Sequence, residues 1–208
     1  MMLHLRKLHK LDSLNHSRVS FVQPSSLVLF RLGSIDDAKE VSNGCKLSEA
    51  ELILFALNDI DITETSRIEG GTHWSALFYY APSQTFYHID SLATHNSDEA
   101  YDVATRLSII LGLKSPEIEE VECTQQLNGN DCGVFCIAFL ERAIQAYLNS
   151  LTEPPSTGCQ VFDDQLHSFM LENLCALKTR NFIWDCISDV ITETEKDNGI
   201  HITLKPPC

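Results

Sequence analysis

Cys132 sits where a turn-forming run, Asn128-Gly129-Asn130-Asp131, gives way to a long apolar stretch. That pattern places the thiol at the first turn of a helix, where unpaired N–H groups and the helix dipole favour a thiolate. A nucleophile in that position needs a base, a group to orient the base, and a donor for the oxyanion. His73 follows a glycine pair and precedes an aromatic run, and an imidazole can take the thiol proton and return it to a leaving amine. Asp90 closes the next apolar run, Phe86 to Ile89. In a hairpin, the end of one strand lies beside the start of its partner, so Asp90 can hold the His73 tautomer. Gln126 precedes the cysteine by six residues, and its amide can donate to an oxyanion together with the Cys132 backbone N–H. Each residue also has a plainer reading. Cys132 can be an inert buried thiol, His73 a structural histidine, Asp90 a strand-end cap and Gln126 a solvated loop residue. Trp74 can wall a groove or fill a core.

The elements that must carry these groups follow from periodicity and breakers. A short strand is expected over Ser17–Val22, a helix over Ser25–Leu32 after Pro24, and another over Asp36–Val41 closed by Gly44. Glu51–Leu57 has strand length, and Asn58–Gly71 reads as a loop. Trp74–Tyr80 and Thr85–Ile89, parted by Ala81-Pro82-Ser83-Gln84, read as a hairpin. Ser97 can cap a helix to about Leu111, with acids in its first turn and Gly112 beyond its end. Glu117–Glu122 reads as an edge strand. The stretch from Cys132 to about Leu148 is apolar nearly all round at first, the mark of a central buried helix. Leu151–Gln160, with Pro154, Pro155 and Gly158, reads as a loop before helices around 161–178 and 179–195.

The chain has 208 residues, 44% of them apolar, and a mean hydropathy of -0.06, values that suit a globular protein. No apolar run is long enough to span a bilayer. Fifteen basic against 29 acidic residues give a net charge of -14. That field repels nucleic acid and anionic membrane, so neither is an expected partner, and it attracts a basic protein surface. The eight cysteines lie partly inside apolar patterns, and no secretory leader pattern opens the chain. A reducing compartment, cytoplasmic or nuclear, is expected. Cys132 and Cys136 are one helical turn apart, but no paired CxxC or HxxxH spacing accompanies them, so no metal is expected. No phosphate loop or dinucleotide motif is present, and no cofactor is expected.

Three blocks carry a resemblance. Gly70-Gly71-Thr72-His73-Trp74-Ser75, Tyr87-His88-Ile89-Asp90-Ser91 and the run from Gln125 to Gly133 are similar to those of the Ulp/sentrin-specific cysteine protease family, in the family's order. The resemblance covers roughly residues 17 to 190. It implies an α+β, papain-like cysteine protease fold of the Ulp type, with a central, mostly antiparallel sheet and a buried helix carrying the cysteine. It implies His73 as base, Asp90 as its orienter, Cys132 as nucleophile and Gln126 as oxyanion donor. Trp74 matches the tryptophan over the channel that admits a C-terminal Gly-Gly, where only residues without side chains can thread. The implied reaction is hydrolysis after the terminal glycine of a ubiquitin-like modifier, without a cofactor. The Gly-Gly-Thr-His-Trp-Ser lead resembles the deneddylase branch, which acts on Nedd/Rub; a SUMO-specific protease is the alternative. The family's N-terminal Trp-Leu-Asn-Asp-like segment has no counterpart in the sequence, so a non-catalytic modifier-binding domain stays open as well. On this reading, residues 1–16 are an atypical segment, 17–196 the protease domain of a monomer, and 197–208 a loose tail.

Overall fold

Strand β2 (Leu52–Asn58) reads Leu-Ile-Leu-Phe-Ala-Leu-Asn and is buried on both faces. Successive side chains of a strand point to opposite sides, so such a run needs a packed layer above and below it. The computed structural model, which describes residues 18–60 and 71–198, supplies both layers. Leu52, Leu54 and Ala56 face a cluster with Phe78, Phe139 and Phe162, whereas Ile53, Phe55 and Leu57 face one with Phe30, Leu77 and Leu107.

The sheet has five strands in sequence order: β1 (Val19–Val22), β2, β3 (Trp74–Tyr80), β4 (Thr85–Ile89) and β5 (Glu117–Glu120). The three central strands pair antiparallel. The two outer pairs are parallel, Val19 lying opposite Leu52 and Thr85 opposite Glu117. Parallel neighbours need a crossover. Helices α1 (Pro24–Leu32) and α2 (Ile35–Cys45) make the first, and α3 (Ser97–Leu111) the second. The expected sheet with its buried cysteine-bearing helix is present, with antiparallel pairing confined to the centre. β5 is the expected edge strand, and its outward glutamates blunt that edge.

Helix α4 (Cys132–Ser150) packs against the sheet through Phe135, Phe139, Ala143 and Tyr147. Helices α5 (Pro155–Leu171) and α6 (Ala176–Asn198) follow. Several boundaries differ from expectation. Gly44 does not close α2; the helix runs to Cys45 and ends at Lys46, which adopts the left-handed conformation at φ 53°. Ser97 is not the cap of α3. Asn96 occupies that position, while the Ser97 hydroxyl donates to Glu120 Oε1 at 2.8 Å. Gly112, at φ 70°, does end that helix. The expected loop over 151–160 is shorter, because α5 already starts at Pro155, where proline suits a first helical position. The break expected near 178 lies instead between Leu171 and Ala176. The segments expected at residues 1–16 and beyond Asn198, and most of the loop before Gly71, lie outside the described residues.

Candidate active site

Both strands of the central hairpin deliver a site residue at the same end of the sheet. His73 immediately precedes β3 and Asp90 immediately follows β4, and Ala76 already lies opposite Ile89. The backbone around His73 is fixed by the end of β2. Its N–H donates to Asp59 Oδ1 at 2.9 Å, and its carbonyl accepts from Asn58 Nδ2 at 3.0 Å. His73 Nε2 lies 2.6 Å from Asp90 Oδ1, with both side chains all but removed from solvent.

Asp90 also accepts the backbone N–H groups of Leu92 at 2.8 Å and Asn96 at 3.0 Å. Burial works against its ionisation. The Asn96 and Leu92 amides and the His73 ring outweigh burial, so the carboxyl sits below the ordinary carboxylate range. An ionised Asp90 can only accept, which assigns the proton to Nε2 of His73 and leaves Nδ1 as the basic nitrogen. Among the described residues, the His73 ring makes no other hydrogen bond. His95 stands edge-on over it, with ring centroids 5.0 Å apart, and its own Nε2 lies 3.6 Å from Asp59 Oδ2.

Cys132 is the first residue of α4 and is 7% exposed. Two contacts dock this end of the helix beside His73. The Cys136 thiol donates to the Ser75 carbonyl at 3.1 Å, and a Cβ built on Gly133 would lie 3.9 Å from Trp74 Cδ1. The neighbouring thiols are held protonated by their surroundings. Burial pushes Cys136 far up, and burial together with the Asp90 charge pushes Cys123 up to about 12. Cys123 donates to the Asp90 carbonyl at 3.2 Å, which makes it a structural part of the Asp90 turn.

Gln126 is held from both sides. Its N–H donates to the Ser91 carbonyl at 2.9 Å, its Oε1 accepts from the Ser91 hydroxyl at 2.8 Å, and its Nε2 donates to the Asn128 carbonyl at 2.6 Å. It lines a cleft of about 310 Å³ together with His73, His95, Leu92 and Leu127. A second, mostly apolar cavity of about 440 Å³ adjoins the start of α4, bounded by Trp74, Gly133, Ile183 and Trp184.

The five residues expected from sequence thus converge at one end of the molecule. Asp59, His95, Asn96 and Arg180, which also contact this end of the molecule, were not among the site residues expected from sequence. Their role is set by contacts across the fold, for which their own neighbours in sequence carry no signal. Among the described residues, no group of three or more His, Cys, Asp or Glu side chains is placed to hold a metal ion.

Residues 39–154 match the family described as Ulp1 protease family, C-terminal catalytic domain. The chain is 34% identical over 109 residues to human sentrin-specific protease 8, an alignment covering 51% of this chain and 50% of that protein. It is 32% identical over 126 residues to the NEDD8-specific protease 1 of Arabidopsis thaliana, covering 58% and 53%. The chain therefore spans about half the length of these relatives. Among solved structures, the Xanthomonas campestris effector XopD bound to ubiquitin has a TM-score of 0.54, with 16% identity and coverage of 81% of this chain and 89% of that one. At that identity the likeness speaks for the fold.

Proposed function

This chain belongs to the Ulp1 protease family, and from that premise we propose that it is a cysteine protease cleaving after the C-terminal Gly-Gly of a ubiquitin-like modifier, with NEDD8 (Nedd/Rub) as the preferred one. The observation that carries the reading is the buried 2.6 Å His73–Asp90 pair, set beside the helix mouth that begins with Cys132.

On this reading, His73 Nδ1 takes the proton from Cys132 Sγ, and the thiolate attacks the carbonyl carbon of the terminal glycine. The carbonyl electron pair moves to oxygen, and the oxyanion accepts from the Cys132 N–H and from the second N–H of Gln126 Nε2. The imidazolium, stabilised by Asp90, passes its proton to the leaving amine as the C–N bond breaks. A thioester remains. Water attacks it with His73 again as base, the C–S bond breaks, and the modifier leaves with a free carboxylate as the thiol is restored.

Leu92, 44% exposed, and Leu127, fully exposed, rim the His73 cleft and suit an extended apolar tail approaching it. The name of the Arabidopsis thaliana relative, NEDD8-specific protease 1, supports NEDD8 as the modifier, and a SUMO-directed activity is the second reading to test. NEDD8, SUMO and ubiquitin, each ending in an electrophilic warhead, are incubated with the chain. Covalent capture of NEDD8 at Cys132, lost in Cys132→Ala, is the expected outcome. Faster capture of SUMO would reassign the modifier. Reversible binding of a modifier without capture would make the chain a binding domain.

A further inference from the structure

Asp131 precedes the candidate nucleophile and occupies the cap position of α4, yet it does not cap the helix. Aspartate is among the best N-caps, because its carboxylate accepts the N–H groups of the second and third helical residues. Here those residues are Gly133 and Val134. The backbone of Asp131 instead has α-region angles, φ -96° and ψ -3°, and its side chain makes no cap hydrogen bond.

The carboxylate faces α6 instead. Arg180 grips Asp131 Oδ1 through Nε at 3.1 Å and through Nη2, and Nη2 also donates to the Asn130 carbonyl at 3.3 Å. The other oxygen accepts from Asn128 Nδ2 at 2.8 Å. The Asn128 carbonyl in turn accepts from Gln126 Nε2 at 2.6 Å. One guanidinium from the C-terminal helix therefore fixes the loop that carries the oxyanion donor and delivers the nucleophile.

A carboxylate left to itself at this position has a strong alternative. With its backbone turned to the extended angles of a cap residue, it would reach the first turn of α4, consume the N–H groups and cancel the positive end of the dipole. It would also set a second negative charge against a Cys132 thiolate. We propose that Arg180 is a positioning residue for the nucleophile: it holds the Asp131 carboxylate out of the α4 cap, so that the first-turn N–H groups stay directed at the Cys132 sulfur and at the oxyanion formed there. The inference rests on Cys132 being the nucleophile. The hydrogen bond from Arg180 also holds the Asp131 carboxyl below the usual carboxylate range. Among the described residues, the titratable groups near this end of α4 are Asp131 and Arg180, His73 with Asp90 behind it, and the Cys136 thiol one turn on.

The test is iodoacetamide alkylation of Cys132 as a function of pH in the full chain, mapped by mass spectrometry, with Cys132→Ala as the control. Arg180→Ala should slow alkylation on the order of tenfold at about pH 6, move the pH midpoint upward, and converge with wild type at about pH 9. Arg180→Lys keeps the charge and should fall between the two. Asp131→Ala placed in the Arg180→Ala chain should restore the wild-type profile, because the carboxylate to be restrained is gone. The proposal is overturned if Arg180→Ala alkylates like wild type at every pH. It is equally overturned if the rate falls by the same factor at every pH, with a lowered Tm and no rescue by Asp131→Ala. If wild-type Cys132 reacts no faster than the exposed Cys175, the nucleophile assignment itself fails and takes this proposal with it.

Discussion

Two histidine–carboxylate pairs lie side by side on the central hairpin and end differently. His73 contacts Asp90 through Nε2 at 2.6 Å, and its other nitrogen belongs to the wall of a cleft. His88, on β4, contacts Glu120 through Nδ1 at 2.7 Å, and its Nε2 lies 3.0 Å from the Ser75 hydroxyl. Burial opposes the ionisation of Glu120, but the His88 ring and the Ser97 hydroxyl outweigh it, so the second pair also has an ionised carboxylate. The second chain therefore runs serine, histidine, carboxylate, the same order of groups as a hydrolase triad. Yet Ser75 is 1% exposed, its oxygen also accepts from Asn96 Nδ2 at 3.1 Å, and His88 is fully buried. The two pairs share their pairing chemistry and differ in access. What differs is what meets the second nitrogen, an open cleft or a hydroxyl sealed in the core.

The sharpest break in that comparison is His73→Ala. It should lower kcat about 10⁴-fold with the fold intact, as measured by steady-state cleavage of a NEDD8 fusion and by circular dichroism. A loss of only a few fold would put His73 in the same class as His88. Asp90→Asn should cost on the order of 10³-fold, because the ring loses its orienting acceptor. The same variant bears on acid stability. The Asp90 carboxyl is depressed below its ordinary 3.8, so its contribution is complete above that value and disappears as pH falls through the lowered one. Asp90→Asn should therefore unfold with a shallower pH dependence at the acid end, and an unchanged slope would refute the ionised assignment.

Gln126→Ala should lower kcat by about 10²-fold with KM nearly constant. A change confined to KM would move Gln126 from the oxyanion to substrate binding. The smallest effect on rate is expected for His88→Leu. Cleavage should stay within about fivefold of wild type, while Tm drops by roughly 5 °C, since Ser75 and Glu120 lose a buried partner. If His88→Leu instead abolished cleavage without loss of Tm, the sealed chain would be functional and the contrast would collapse.

The site was legible in the sequence to the extent that its groups sit at element boundaries with strong local signatures. The Ala81–Gln84 break defines the hairpin that carries His73 and Asp90 to one end of the sheet. The turn run before Cys132, followed by apolar residues, fixes the start of α4. What stayed hidden depends on partners far along the chain. Nothing near Ser97 reveals that its hydroxyl is drawn to Glu120, which frees the cap position for Asn96. Nothing near Asn96 reveals that its backbone reaches Asp90 while its side chain reaches Ser75, linking the two histidine pairs. The double proline and Gly158 favoured a loop before α5. Proline is compatible with a first turn, and a Cβ at Gly158 would lie 3.4 Å from the Ser150 carbonyl, so the small residue serves close helix approach. Arg180 and Asp131 are typical surface types, and only the fold brings them together.

The hairpin has a consequence in time. Its turn is short, so closing it carries little loop entropy, and β3 and β4 can pair early as the chain folds. Docking the start of α4 against Trp74 and Ser75 is a long-range step, the Cys136 thiol reaching the Ser75 carbonyl across 61 positions of sequence. The His73–Asp90 pair can thus assemble before the Cys132 thiol reaches it. On the proposed mechanism, a chain whose hairpin has formed but whose α4 has not docked would keep its nucleophile away from its base, and hydrolytic competence would be among the last properties that folding confers.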